Sequence, residues 1–119
     1  MANLAGELCS TDIPDWVISE GGVEGDNFVV TAENMAKLYA RSPICHVLKV
    51  SCPVLLLIGT LDRRVPCAQS YEYYHALRGR GISTKLLQYK ARHALADSAR
   101  ENCNGWLNIA RWFCQCPDF

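Results

Sequence analysis

The sequence predicts an α/β fold in which parallel strands are flanked by helices. Three observations carry that expectation. Pro53 to Ile58 is a continuous apolar run of strand length, the pattern of a strand covered on both faces. Thr84 to Tyr89 gives a second strand through Leu86, Leu87 and Tyr89. A helical pattern fills the interval between the two and another follows the second. Strand, helix, strand, helix implies parallel strands joined by a right-handed crossover.

Taken in order, residues 1–30 give the weakest signal. Thr11 to Trp16 reads as a turn with an aromatic anchor, and Gly21, Gly22 and Gly25 as a loop. Thr31 can cap a helix over Ala32 to Arg41, with Glu33 in its first turn and Met35, Leu38 and Tyr39 on one face. Pro43 closes that helix, because the residue before a proline is pushed out of the α region. Gly59 ends the first strand, and residues 60–66 form a polar loop. Cys67 to Arg78 follows as a helix, with Ala68, Tyr71, Ala76 and Leu77 as candidates for its buried side, stopped by Gly79 and Gly81. Lys90 to Ala94 is a loop carrying His93. The last helix spans Ser98 to Cys114, where Ala99, Cys103, Trp106, Ala110 and Phe113 recur at helical spacing with Leu107 and Cys114 beside them. Gly105 inside it costs about 1 kcal/mol relative to alanine.

Composition limits what such a chain does. At 119 residues it is one domain, spanning 1–119, without internal repeats. Lys plus Arg equals Asp plus Glu, 12 against 12, so there is no electrostatic reason to expect nucleic acid or an acidic membrane as partner. No apolar run approaches the ~18 residues that span a bilayer. Met1 to Ser10 has neither a basic nor a long apolar stretch and does not read as a signal peptide, which places the chain in the cytoplasm. The 7 cysteines are odd in number and form no C-x-x-C pair, so no metal site and no cofactor is expected; they read as reduced, partly buried thiols.

Two ionisable residues follow the carboxyl ends of the strands, where open α/β sheets bind ligands. Asp62 follows the first strand and His93 the second. Neighbouring strands lie about 4.8 Å apart, so loops leaving the same edge can bring a carboxylate to an imidazole. In a Ser-Asp-His triad the carboxylate fixes the imidazole tautomer and stabilises the imidazolium, while the histidine relays the serine proton. Asp before His is also the order of that triad in strand–turn–helix hydrolases. Topology alone leaves a second reading standing, in which Asp62 forms a turn or cap and His93 is structural.

The motifs around those residues resemble a known family. Ser42-Pro43-Ile44, Pro53 to Gly59, Asp62-Arg63-Arg64-Val65-Pro66, and Tyr71-Glu72-Tyr73-Tyr74 with Ala76-Leu77 are similar to the prolyl oligopeptidase family. Thr11 to Trp16 and His93-Ala94-Leu95 resemble its acylaminoacyl-peptidase branch. The resemblance implies the C-terminal portion of an α/β-hydrolase catalytic domain, preceded in the family by a β-propeller. It implies release of N-acylated amino acids from peptides, an N-acylated peptide as the substrate partner, Asp62 and His93 as triad members, and Arg64 as a residue that binds a substrate carbonyl. Arg63 is expected to cap or pack locally. The resemblance leaves homo-oligomerisation open.

One departure matters. The family nucleophile sits in a G-x-S-x-G elbow, and none of Ser10, Ser19, Ser42, Ser51, Ser70, Ser83 and Ser98 has glycines at both required positions. The expectation is that these 119 residues supply the aspartate and histidine but not the serine, and are inactive alone. The alternative is a non-catalytic truncated product acting as an interaction or oligomerisation module. An unpaired Val54 to Ile58 edge is an aggregation hazard on either reading.

Overall fold

A computed structural model describes residues 1–23, 31–94 and 98–116. Three short helices open the chain. α1 covers Leu4–Leu8, its first turn capped by the Asn3 side chain, which accepts the Gly6 N–H. α2 covers Pro14–Gly21 and begins on proline, whose missing N–H is no loss at a helix start. It ends on Gly22 in the left-handed region, φ 55°. α3 covers Ala32–Ala40, with Thr31 accepting the Asn34 N–H as the sequence predicts. Leu4, Ala5, Val17 and Leu38 are buried against one another, with Leu8, Val23 and Met35 packed around them. Gly21 lets α2 approach this cluster closely: a Cβ there would fall 2.1 Å from the Leu38 Cδ2, and the Leu38 side chain would have to shift.

This part departs most from expectation. α1 was not expected, and α2 takes in Pro14 to Trp16 of the expected turn and Gly21 of the expected loop, while residues 11–13 and Gly22 stay outside helices. Trp16 is 43% exposed, and Val17 takes the fully buried position of α2. Gly25 and Leu95 lie outside the described residues. Tyr39 is exposed, so the buried face of α3 rests on Leu38 and Met35. After α3 the chain runs through a 3-10 helix over Pro43–Lys49, and Arg80 Nη2 donates to the carbonyl of Leu48 at 2.8 Å to hold its end.

The predicted parallel pair is present. β1 covers Val54–Gly59 and β2 Thr84–Tyr89, in register from Val54 opposite Thr84 to Gly59 opposite Tyr89. The helix joining them, α4, covers Cys67–Gly79 and packs on both strands. It buries Leu77 and Gln69, while Ala68 is exposed. Gln69 is inside because its side-chain oxygen accepts the N–H groups of Ala2 and Asn3, at 3.0 and 2.6 Å. That amide ties the first residues to the crossover helix. The β1 run is half-buried from Val54 to Leu57, and only Ile58 and Gly59 are fully buried. Two strands with few covering elements cannot enclose both faces of an apolar run.

α5 covers Ala99–Gln115, and Ser98 caps it by accepting the Glu101 N–H at 3.1 Å. Its inward stripe is Glu101, Gly105, Asn108, Ile109 and Trp112. The apolar stripe noted in the sequence faces out, leaving Trp106, Leu107 and Phe113 67, 51 and 58% exposed. Four cysteines, Cys9, Cys52, Cys103 and Cys114, are exposed rather than partly buried.

Candidate active site

The strands end, but their pairing continues into the loops. Thr60 donates its N–H to the Tyr89 carbonyl at 2.8 Å, and Leu61 to the Ala91 carbonyl at 3.0 Å. Gly59 makes this approach available. A Cβ there would lie 2.4 Å from the Ala91 oxygen and 2.7 Å from the Arg92 oxygen, both backbone atoms that cannot swing aside. The consequence is a short, fixed span between the residue after β1 and the residue after β2.

Asp62 and His93 sit at its two ends. Asp62 Oδ1 accepts the N–H groups of Arg64 at 2.9 Å and Val65 at 3.0 Å. That is the turn-forming role which topology leaves open for an aspartate here. It does not compete with the second role, since Oδ2 remains for His93 Nδ1, 2.9 Å away. A carboxylate accepts only, so the proton lies on Nδ1 and leaves Nε2 as an acceptor. The Asp62 side chain is 10% exposed and that of His93 53%. The carboxylate is therefore withdrawn from water while the imidazole can be reached.

The loop holding Asp62 is braced from the N-terminal helices. Asp12 donates its N–H to the Arg63 carbonyl at 3.1 Å, and the Thr11 hydroxyl donates to the Arg64 carbonyl at 2.8 Å. This gives Thr11-Asp12 a physical purpose. Arg63 is tied to Asp12 only through its carbonyl, and its exposed side chain lines a cleft of about 700 Å³. Asp62, His93, Arg64, Arg92 and Asp12 share that cleft. All three predicted site residues are thus brought together.

Sequence reasoning missed one group. Glu7 of α1 is fully buried, and neither carboxyl oxygen has a hydrogen-bond partner among the described residues. Burial pushes its carboxyl above the usual range; the Met1 ammonium opposes this, the Asp62 charge adds to it and His93 opposes it. The available signal was a carboxylate three residues after Leu4, on the apolar side of a helix too short to show a period.

Comparison with known proteins agrees on the family. The model of the prolyl oligopeptidase family matches residues 15–118. The acylamino-acid-releasing enzyme of Rattus norvegicus is 39% identical over 112 residues, covering 92% of this chain and 15% of that protein. The Arabidopsis thaliana enzyme of that name is 34% identical over 115 residues, covering 95% and 15%. Among solved structures, the uncomplexed acylaminoacyl peptidase of Pyrococcus horikoshii superposes with a TM-score of 0.80 at 24% identity, over 98% of this chain and 19% of that one. An acylaminoacyl peptidase in complex with Z-Gly-Gly-Phe-chloromethyl ketone matches with a TM-score of 0.75 at 28% identity, over 95% and 18%. The chain spans about 15% of the length of the curated relatives it matches. The fold is accordingly part of an α/β-hydrolase fold.

Proposed function

The chain belongs to the prolyl oligopeptidase family, and on that premise we propose that its residues furnish the aspartate and histidine of a Ser-Asp-His triad that releases N-acylated amino acids from peptides. The observation that carries this reading is the 2.9 Å contact between His93 Nδ1 and Asp62 Oδ2 at the carboxyl ends of adjacent parallel strands. In that arrangement Nε2 takes the proton of a serine hydroxyl and returns it to the leaving amine, while Asp62 stabilises the imidazolium between the two steps. The serine comes from chain outside these 119 residues, since no G-x-S-x-G occurs within them. Without it no acyl-enzyme forms, so the 119 residues alone are inactive.

Arg64 is assigned to a substrate carbonyl. Its backbone is pinned by Asp62 and Thr11, and its exposed guanidinium stands on the rim of the same cleft, always charged and rich in directed donors. Similarity to acylamino-acid-releasing enzymes supports an N-acylated peptide as substrate. A peptidyl chloromethyl ketone bound to one relative supports a peptide in the cleft. The 7 unpaired cysteines favour the cytoplasm, and no helix among the described residues is long and apolar enough to cross a membrane.

The test is made in the full reading frame containing these residues. Asp62→Asn should lower kcat for release of an N-acetyl amino acid by about 10⁴, because the imidazole then adopts the wrong tautomer. Near-normal turnover would remove Asp62 from the triad. A fluorophosphonate probe should leave the 119-residue chain unlabelled, and stoichiometric labelling of any serine in it would defeat the missing-nucleophile reading.

A second reading is favoured by the outward apolar stripe of α5, with Trp106, Leu107 and Phe113 exposed. Here the chain is a non-catalytic module that docks on larger copies of its relatives. Co-purification of the 119-residue chain with such a copy, lost in Trp106→Glu, is the result this reading expects.

A further inference from the structure

The two loops that bring Asp62 to His93 also carry three arginines into one cleft. Arg63 and Arg64 follow Asp62, Arg92 precedes His93, and all three line the space of about 700 Å³ around the pair. That volume is in the range of sites for small, peptide-sized ligands. Three guanidiniums stand there against two carboxylates, Asp12 and Asp62. The Asp62 charge is already engaged, since Oδ1 accepts the N–H groups of Arg64 and Val65 and Oδ2 meets His93 Nδ1. Asp12 makes no ion pair with Arg63 or Arg64, and neither of those guanidiniums has a hydrogen-bond partner among the described residues.

The positive excess is local, because the whole chain balances 12 basic against 12 acidic residues. It is also anchored at its base. The Arg63 carbonyl accepts the Asp12 N–H at 3.1 Å, and the Arg64 carbonyl accepts the Thr11 hydroxyl at 2.8 Å. The backbone is thereby held while both side chains stay exposed. A guanidinium offers its donors in a planar fork that matches a carboxylate. Acylation removes the terminal ammonium of a peptide and leaves the α-carboxylate, ionised at neutral pH, as its sole terminal charge. An N-acylated peptide therefore brings to the cleft the charge that the cleft lacks.

We propose that Arg63 and Arg92 form a subsite for the free α-carboxylate of a short N-acylated peptide, and so set a preference for short substrates with an unblocked C-terminus. The inference rests on the triad reading and deepens it. Arg64 is assigned to a carbonyl near the reacting bond, and Arg63 and Arg92 to the far end of the leaving peptide. A longer peptide carries its carboxylate beyond the cleft and forgoes the contact. A C-terminal amide keeps the length but lacks the charge.

The test compares acetyl-Ala-Ala-Ala with its C-terminal amide, as substrates of the full reading frame containing these residues. The two share an acyl group and a scissile bond. KM should be about tenfold lower for the acid, with kcat similar. That ratio should shrink as salt rises from about 0.05 M to about 0.5 M. Equal KM values, or a ratio indifferent to salt, overturn the proposal. Arg63→Gln and Arg92→Gln should each bring the ratio down to about threefold. Arg63→Lys, which keeps the charge and loses the fork, should fall between Arg63→Gln and the unmodified enzyme. A purely structural Arg63 would shift both KM values alike and leave the ratio where it was, which also overturns the proposal. If Arg63→Gln does not fold, Arg63→Lys and the salt series decide. Asp62→Asn separates the two levels, because it should lower kcat for both peptides and leave the KM ratio in place. A ratio near one with kcat still dependent on Asp62 removes the subsite alone; a kcat indifferent to Asp62 removes the triad and the subsite with it.

Discussion

In the N-terminal helices, Leu4, Ala5, Val17 and Leu38 are buried against one another, while in β1 only Ile58 and Gly59 reach the same burial. The helical part is held by side-chain packing. The strand part, which carries the candidate site, is held by main-chain pairing that continues past the strands through Thr60 and Leu61. The difference separates stability from geometry. A residue can matter greatly to one and little to the other, and the bridge that reaches the site is the pair of hydrogen bonds from Thr11 and Asp12 to the Asp62 loop, beside the Gln69 amide that ties the first residues to α4.

Four measurements break or sharpen that contrast. Leu38→Ala removes the largest fully buried side chain of the helical core and should lower unfolding stability by about 3 kcal/mol. Urea titration gives the size, and an unchanged His93 signal before unfolding would show that the two parts are separable. Gly59→Ala should lower stability by about 2 kcal/mol, through a Cβ driven into the Ala91 and Arg92 carbonyls. It should also part Asp62 from His93, seen as loss of the Nδ1–H signal; retention of that signal would show that the loops yield without cost to the site.

The third concerns pH. The folded Glu7 carboxyl holds its proton more tightly than the unfolded one, whose reference value is 4.5. Its contribution is therefore complete below that value and lost as pH rises through the raised folded value. Urea midpoints should fall across that window, and Glu7→Gln should flatten the fall. The smallest effect is Gly105→Ala in α5. A Cβ there would meet Leu57 Cδ2 at an ordinary 3.8 Å, so the helix should gain about 1 kcal/mol of stability. A loss instead would mean that α5 sits closer to the sheet than its neighbours imply.

Much of this was legible in the sequence, for particular reasons. The Pro53 to Ile58 run could be little but a strand, and Asp62 and His93 each follow a strand by a few residues, so their meeting is a matter of strand spacing. α1 was not legible because five residues do not display a helical period, and α2 was obscured by its paired glycines. The role of Gly59 depends on the distance to a loop some thirty residues later, which no local pattern records. In α5 the period was right and the face was wrong. The helix meets Leu57 through Gly105, where no side chain intervenes, and that choice turns Trp106 outward.

That outward turn has a practical result. Cys103 and Cys114 stand on the exposed side of α5, about three helical turns apart and flanking the Trp106 and Phe113 rings. Their alkylation rates give a footprint of whatever comes to lie over this helix. Protection of both thiols would report coverage along its length, and protection of one would locate the edge.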